Sequence, residues 1–310
     1  MGGRGEETGS PLPATWGEVM RYLLINADGY GFTAGINRAI EECIAFGTVR
    51  SLSANVNCRY ADDLALLVQC HPDLSVGCHI NPVVGSPVLP PREVPTLIDG
   101  KGEFFYKAFV RRYLRGHIRR EELYAEMLAQ VERTRELAGA AFSHLDFHMG
   151  LHRLPGLYTI FLEVAEKSGV GRIRTHRYRV GMESRFPRLR HYLHLGQKVS
   201  RIPKFLWNLW LRRKALARHL AMPDRRVEIT HMGSRGEVIN VENYLRLLQN
   251  LPPGCNEFVV HPGYVDEELR RWSTYLESRL REREVLLDVR FREALYASDV
   301  QLIGYRDMPK

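Results

Sequence analysis

The chain has 310 residues, of which 45% are hydrophobic and 26% are charged, and its formal net charge is +8 at pH 7. This composition describes a soluble globular protein that can bury a full core, as one large domain or two small ones. No apolar run approaches the ~20 residues of a transmembrane helix, which excludes a helical membrane-spanning protein. The positive charge is compatible with several kinds of acidic partner and by itself selects none.

Two features bear on the cellular location. The five cysteines form no Cys-x-x-Cys pair, and their odd number and irregular spacing argue against a disulfide framework. A reducing cytoplasm is therefore the expected location. Residues 1–20 are rich in glycine, glutamate and proline without the apolar stretch of a signal peptide, so we interpret them as a flexible tail.

Short apolar runs alternate with helical patterns, which is typical of successive βα units and a mainly parallel sheet. The predicted strands are residues 22–25, 48–56, 74–81, 141–148 and 257–263. The predicted helices are residues 34–46, 61–70 and 123–137. These patterns predict an α/β fold in one domain over residues 21–308.

Polar side chains stand at the ends of four of these strands. Asp28 follows the first, His79 is near the end of the third, and His261 is near the end of the last. In the strand 141–148, alternation places His144, Asp146 and His148 on one face. Because parallel strands point their carboxyl ends to one side of the sheet, we expect these side chains to meet there.

Aspartate and histidine ligands without cysteine suit Zn²⁺, Mn²⁺ or Mg²⁺, and an open coordination position would activate water for hydrolysis. Structural roles are the alternative for each residue. Asp28 suits a turn or a helix cap, His79 suits a hydrogen-bonded core position, and His261 suits packing at a strand end.

Two stretches interrupt the βα pattern. Residues 82–105 contain five prolines and are predicted as a long ordered loop or lid. Residues 185–226 mix many lysines and arginines with aromatic residues that include Trp207 and Trp210. This basic aromatic insertion is either a surface for a membrane interface or an ordinary amphipathic helix that covers the domain. No nucleic-acid-binding motif accompanies the charge.

Five short motifs resemble those of one family. They are Asn26-Ala27-Asp28 with Tyr30-Gly31, Gly77-Cys78-His79-Ile80-Asn81, His144 through His148, His261-Pro262-Gly263-Tyr264 and Gly304-Tyr305-Arg306-Asp307. In this order they resemble the YdjC-like carbohydrate deacetylases, which include chitooligosaccharide and hopanoid-biosynthesis deacetylases, over residues 22–308. The resemblance implies an irregular (β/α) barrel, like that of polysaccharide deacetylases, and metal-dependent removal of an acetyl group from an N-acetylated amino sugar.

The resemblance also implies roles for individual residues. Asp28 corresponds to the family's general base, and His79 and His148 correspond to ligands of a divalent ion such as Mg²⁺ or Zn²⁺. The family's second acid falls at Gly29, which has no side chain. Three alternatives follow from this missing acid. Asp28 itself is a metal ligand, or water or substrate takes the vacant ligand position. In the third, the chain is a catalytically silent homologue that binds carbohydrate or lipid without hydrolysing it.

The remaining candidates are supporting residues. His144 and Asp146 are expected to orient the metal ligands, and His261 is the candidate general acid. Four weaker candidates are either substrate contacts or ordinary turn and surface residues: Asn57, Asn81, His152 and Arg174. The position of the basic aromatic insertion resembles a variable insertion of the hopanoid-type members, which implies a lipid-linked substrate and peripheral contact with the inner face of the membrane. A homo-oligomer is compatible with the sequence.

Overall fold

The computed structural model describes residues 20–180, 202–229 and 238–308. Residues 1–19 of the predicted tail and residues 185–201 of the basic aromatic insertion lie outside the described residues. All of the strands that carry the predicted site lie inside them.

Eight strands form one sheet, and every pairing between them is parallel. They are β1 (Arg21–Tyr30), β2 (Ser51–Ala54), β3 (Ser75–Ile80), β4 (Phe142–Phe147), β5 (Tyr178–Val180), β6 (Arg225–Glu228), β7 (Gly254–Val260) and β8 (Val300–Leu302). The order is β4-β3-β2-β1-β7-β6-β5, with β8 paired to β1. The central strand β1 buries Leu23, Leu24 and Ile25 fully, as a parallel strand covered on both faces requires.

Ten α-helices of the described residues accompany the sheet. They are α1 (Ala34–Phe46), α2 (Asp63–Cys70), α3 (Phe109–Leu114), α4 (Arg120–Ala138), α5 (Leu157–Ser168), α6 (Ile202–Leu216), α7 (Val241–Gln249), α8 (Glu267–Trp272), α9 (Glu277–Leu286) and α10 (Val289–Ala297). Helix α1 shows why they form: Thr33 caps its first turn through the Ile36 amide, and Ile40 and Cys43 on one face are fully buried. Among the described helices, none has both the length and the hydropathy needed to cross a bilayer.

Strands β4 and β5 are the two ends of the strand order. The segment that precedes β5 in the chain lies beside β4 and hydrogen-bonds to it. The Leu145 amide donates to the Arg172 carbonyl at 3.0 Å, and the Arg174 amide donates to the Leu145 carbonyl at 3.1 Å. Isolated bridges join Leu145 to Ile173 and Arg172 to Ala221. The α/β prediction is confirmed, and this short segment contacts β4 through a single bridge and two hydrogen bonds instead of a full strand pairing.

The proline-rich segment 82–105 is an ordered loop with one short 3₁₀ turn, Pro91–Glu93. Two glutamate side chains of helix α4 hydrogen-bond to this loop. Glu126 accepts hydrogen bonds from the Val88 and Leu89 amides, and Glu122 accepts from Thr96. These buried carboxylates take the place of the backbone partners that a loop lacks.

The side chains of Asn57 and Asn81 also hydrogen-bond to the backbone of this loop. The Asn57 amide nitrogen donates to the carbonyls of Val84 and Ser86. The Asn81 side-chain oxygen accepts from the Val83 and Val84 amides. Both side chains therefore fix the loop backbone, and neither lines the cavity described below.

Candidate active site

Arg174 is the centre of the site, although the sequence marked it only as a weak candidate for a substrate contact. Its guanidinium donates to both carboxylate oxygens of Asp28, at 2.6 and 2.7 Å. It also contacts Asp146 at 2.6 Å and Glu257 at 2.7 Å. All four side chains are at least nine-tenths buried. Arg174 reaches them because it lies on the segment that bridges the gap beside β4.

This cluster contains three carboxyl groups and one guanidinium. Burial alone would raise the pKa of Asp28, but the charge of Arg174 holds that pKa well below its usual range. The same guanidinium lowers the pKa of Asp146 against burial. For Glu257, burial prevails and raises the pKa. Arg174 therefore holds Asp28 and Asp146 as carboxylates, and a further positive charge beside these two would be favourable.

His79 lies within hydrogen-bond distance of Asp146, the residue expected from the sequence to orient it. Its Nδ1 lies 2.7 Å from Asp146 Oδ1, so the neutral ring carries its proton there and presents Nε2 to the site. Ser53 donates to the other oxygen of Asp146 at 2.9 Å. Burial would lower the pKa of His79, yet the adjacent Asp146 and Asp28 carboxylates raise it.

His148 follows β4 directly, at the start of a short 3₁₀ segment, His148–Arg153. Its ring centroid lies 5.3 Å from that of His79, and the two planes are nearly perpendicular. Phe32 stacks beside it at 6.3 Å. Burial lowers the pKa of His148 to about 3, so its ring is neutral and can act as a ligand.

Ligand atoms of Asp28, His79 and Asp146 lie within 4.8 Å of one another. This grouping differs from the implied set of Asp28, His79 and His148. Asp146 also accepts hydrogen bonds from His79 and Ser53 and forms an ion pair with Arg174, contacts that suit the orienting role expected of it from the sequence.

His261 lies beside Asp28. Its Nε2 is 3.8 Å from Asp28 Oδ2, and its ring packs edge-on against Tyr275. Burial lowers the pKa of His261 to about 3, so the ring is neutral at rest. The two predicted catalytic residues are thus neighbours.

His144 lies behind the site, where it is fully buried and stacks on Tyr305 with 3.6 Å between ring centroids. Its nitrogens are within hydrogen-bond distance of Ser143 and Ser53. Burial lowers its pKa to about 3. It does not line the cavity, and its contact with Ser53, the partner of Asp146, agrees with a supporting role.

Gly29 occupies a bulge. The register of β1 against β2 shifts between Asp28 and Tyr30, and Gly29 has φ +109°, in the region that favours glycine. A Cβ atom there would lie 3.7 Å from Ile36, which is ordinary contact. Space therefore allows a side chain at Gly29, while the backbone conformation opposes it.

A cavity of about 1110 Å³ opens over these residues. It is lined by Asp28, Gly29, His79, His148 and His261, which are the residues that the motifs singled out. Its size is that of a site for a small-molecule ligand.

Neutral polar groups of the cavity wall also have unused hydrogen-bonding atoms. Both side-chain polar atoms of Asn55 and Nδ1 of His152 are buried without a hydrogen-bond partner among the described residues. His152 packs against His176 and Phe161. Since buried polar atoms are normally satisfied, these are candidate ligand contacts.

Sequence analysis missed four residues that build or line the site: Asn26, Ser53, Asn55 and Glu257. Asn26 donates to Asp28 and to Ser53, both at 2.8 Å. Glu257 is a charged residue directly before the apolar run of its strand, and that position was the available signal. The sequence around Ser53 and Asn55 carries no comparable anomaly.

Glu282 binds the backbone amide of His261, and the pKa of Glu282 leads to a prediction about pH. It accepts hydrogen bonds from the His261 amide and from the Tyr275 hydroxyl, yet burial raises its pKa to about 7. The folded state therefore binds this proton more tightly than the unfolded state. Its stabilising effect is complete below pH ~4.5 and is lost as the pH rises through about 7, by roughly 3 kcal/mol at most.

Urea denaturation at pH 5 and pH 8 measures this effect. The free energy of unfolding should fall between these values by roughly 2–3 kcal/mol more in the wild type than in Glu282→Gln. Glu284→Gln, at an exposed position of the same helix, should behave as the wild type. Equal pH dependence in the wild type and Glu282→Gln would contradict the raised pKa.

Comparison with known proteins identifies relatives across nearly the whole chain. A carbohydrate deacetylase of Thermoanaerobacter pseudethanolicus is 26% identical over 286 residues, covering 92% of this chain and 98% of the relative. A carbohydrate deacetylase of Geobacillus stearothermophilus is 28% identical, covering 94% and 99%.

A solved structure from Enterococcus faecalis, described as that of a cellobiose-phosphate cleavage protein, has a TM-score of 0.68 at 25% identity. The alignment covers 93% of this chain and 98% of that one. Residues 22–297 match the family described as YdjC-like protein. This match includes every residue described above in the site except Tyr305, and the chain therefore belongs to the YdjC-like family.

Proposed function

We propose that this protein is a carbohydrate deacetylase, a hydrolase that removes the acetyl group from the nitrogen of an amino sugar. The observation that carries the proposal is the meeting of Asp28, His79, His148 and His261 in one cavity. The names of the relatives support the same activity.

Asp28 and His261 provide the route for the proton. Asp28, which Arg174 holds as a carboxylate, accepts a proton from the attacking water. The proton passes to His261, 3.8 Å away, and from there to the nitrogen that leaves. His261 is neutral at rest, so it can receive that proton before donating it.

The low pKa of Asp28 makes it a weak base, so the water must be unusually acidic. A bound divalent ion, Mg²⁺ or Zn²⁺, would supply that acidity and would polarise the acetyl carbonyl. His79 and His148 would hold the ion together with Asp28. The residues present fit such an ion, since the imidazoles of His79 and His148 face carboxylates that outnumber the Arg174 cation.

The metal content of the purified protein and acetate release from N-acetylated sugars test this proposal together. We expect one divalent ion per chain in the wild type, and less than a tenth of that in His79→Ala and His148→Ala. Acetate release should fall with the metal, by about 10²-fold or more. His117→Ala, at an exposed histidine, is the matched control and should retain both. A wild type without stoichiometric metal would refute the metalloenzyme.

A second candidate function follows from Gly29. The missing acid favours a silent homologue that retains the cavity and binds carbohydrate or lipid without hydrolysing it. The two functions differ in whether the wild type releases acetate in a manner that depends on Asp28.

We also propose a peripheral membrane contact through α6. Leu211 and Ala215 are buried on its inner face, while Leu206 and Trp210 are exposed near the cationic Arg213. Trp207 is fixed to the domain, because its indole nitrogen donates to the Arg153 carbonyl at 2.8 Å. Trp210 rather than Trp207 is therefore the anchoring residue.

Co-sedimentation with vesicles that contain phosphatidylglycerol tests this contact. Trp210→Ala combined with Leu206→Ala should lower the bound fraction several-fold, because both apolar side chains would leave the interface. The control pair Leu66→Ala and Leu114→Ala also removes exposed leucines, but from other surfaces. Equal binding by all variants would count against the contact.

A further inference from the structure

Asn55, which directly follows β2, is an unusual residue of the cavity wall. Its side chain is 1% exposed, and neither its amide oxygen nor its amide nitrogen has a hydrogen-bond partner among the described residues. Buried polar atoms are normally paired, because an unpaired one loses its bonds to water without replacement. Since the side chain lines the cavity, a ligand bound there is the expected partner.

The strand pairing places Asn55 beside His79. In the register of β2 with β3, the last pair is Ala54 with Cys78, so one further step joins Asn55 to His79. On its other side, the Asn55 backbone amide donates to the Tyr30 carbonyl at 2.8 Å, which holds it against β1. Asn55 therefore lies between the end of β1 and the histidine at the end of β3.

The side chain of Asn55 also lies on the inner face of the sheet. Alternation along the strand gives Asn55 the same face as Ser53. The Ser53 hydroxyl donates to Asp146 at 2.9 Å and accepts from Asn26, which also donates to Asp28. Asn55 is the next side chain on that face, toward the carboxyl end of the strand. Its amide is therefore on the side of the sheet that carries the candidate metal ligands.

The carboxylates of this face are already engaged as acceptors. Both oxygens of Asp28 accept from Arg174, and Oδ1 accepts from Asn26 as well. Both oxygens of Asp146 are also in contact with donors. By contrast, Asn55 Oδ1 accepts no hydrogen bond within the described ranges. A hard divalent ion prefers oxygen ligands, and Asn55 offers one with both lone pairs available.

We propose that Asn55 is a further ligand of the divalent ion, through Oδ1, beside His79 and His148. A neutral carbonyl oxygen suits Mg²⁺ or Mn²⁺, whereas imidazole suits Zn²⁺, so this ligand favours the harder ions. It supplies an oxygen in a chain whose Gly29 supplies none, and it lies outside the ligand set that the resemblance implies. The proposal rests on the metal-dependent deacetylase function and names one more residue of the same site.

Calorimetric titration of the metal-free protein with Mn²⁺ and with Zn²⁺ tests this assignment. In Asn55→Ala, the Kd for Mn²⁺ should rise by about tenfold or more. The Kd for Zn²⁺ should rise less, because Zn²⁺ depends more on the two imidazoles. A structural role would not change the ratio of the two affinities. Unchanged affinity for Mn²⁺, or an equal loss for both ions, would overturn the assignment.

Asn55→Asp keeps the size of the side chain and gives a second readout. The added charge should lower the Kd for Mn²⁺ by about tenfold or more relative to the wild type. If Asn55→Ala does not fold, failure of Asn55→Asp to bind Mn²⁺ more tightly would overturn the assignment. Asn208→Ala is the matched control, because Asn208 lines the same cavity with an unpaired buried oxygen but lies on α6. It should keep the wild-type Kd for both ions.

Metal binding and acetate release separate this ligand from the activity. A selective loss of Mn²⁺ affinity in Asn55→Ala would support the ligand even if the wild type releases no acetate, and the deacetylase function would then fail alone. Metal-dependent acetate release by the wild type, with unchanged metal affinity in Asn55→Ala, would overturn the ligand alone. A wild type that binds neither ion would overturn both the ligand and the metalloenzyme.

Discussion

Replacing Arg174 with methionine is expected to lower the free energy of unfolding by about 3–5 kcal/mol, because the change strands buried carboxylates without their cation. Asp28, Asp146 and Glu257 all contact this guanidinium, and none of them is exposed. The loss should be greater at pH 8 than at pH 5, since protonation can neutralise part of the stranded charge at the lower pH.

Urea denaturation of Arg174→Met and of the control Arg111→Met at both pH values measures this effect. The control removes an exposed arginine and should change the free energy of unfolding by less than about 0.5 kcal/mol. Arg174→Lys retains the charge but cannot form the two parallel bonds to Asp28, so its loss should be intermediate. A loss below about 1 kcal/mol in Arg174→Met would show that Arg174 does not hold the cluster together.

Five of the eight strands, and the side of the sheet on which their carboxyl ends meet, could be predicted because they depend on local pattern. Apolar runs and turn residues located the strands, and a parallel sheet must gather their carboxyl ends on one side. That rule placed Asp28, His79 and His261 together, as the cavity lining shows. The orientation of His79 by Asp146 followed from strand alternation and from the need of a ligating histidine for a partner.

Arg174 could not be placed in the same way. Its position depends on the segment between α5 and β5, which contacts β4 through a single isolated bridge and has no apolar run of its own. The roles of Asn57 and Asn81 were equally hidden, because loop residues beside a site are polar whether they contact substrate or hold backbone. Their hydrogen bonds to the loop distinguish these roles, and no spacing in the sequence does.

The other large effect concerns Asp28. Asp28→Asn keeps the size of the side chain but removes the carboxylate that accepts the proton, so acetate release should fall by about 10²- to 10⁴-fold. Asp73→Asn, at an exposed aspartate, is the control and should retain wild-type turnover. Thermal melts of both variants would show how much of any loss reflects weaker folding, since Asp28 also pairs with Arg174.

The activity of the wild type also depends on whether the chain tolerates the missing acid at Gly29. Gly29→Asp places an acid where the resemblance to the family implies one, but the φ of +109° at this position makes any side chain costly, by about 1–3 kcal/mol. Gly29→Ala carries the same backbone cost without the carboxylate, so the comparison of these two variants isolates the acid. We expect Gly29→Asp to bind the divalent ion at least about tenfold more tightly than Gly29→Ala.

Three results would then separate the hypotheses about this site. Wild-type turnover that depends on Asp28 establishes a working hydrolase in which the vacancy at Gly29 is tolerated. Turnover that appears only in Gly29→Asp establishes a silent binding protein whose remaining catalytic residues are intact. Equal metal affinity in Gly29→Asp and Gly29→Ala would show that the bulge at the end of β1 directs a side chain at this position away from His79 and His148, so that the lost acid could not have been a ligand in this chain.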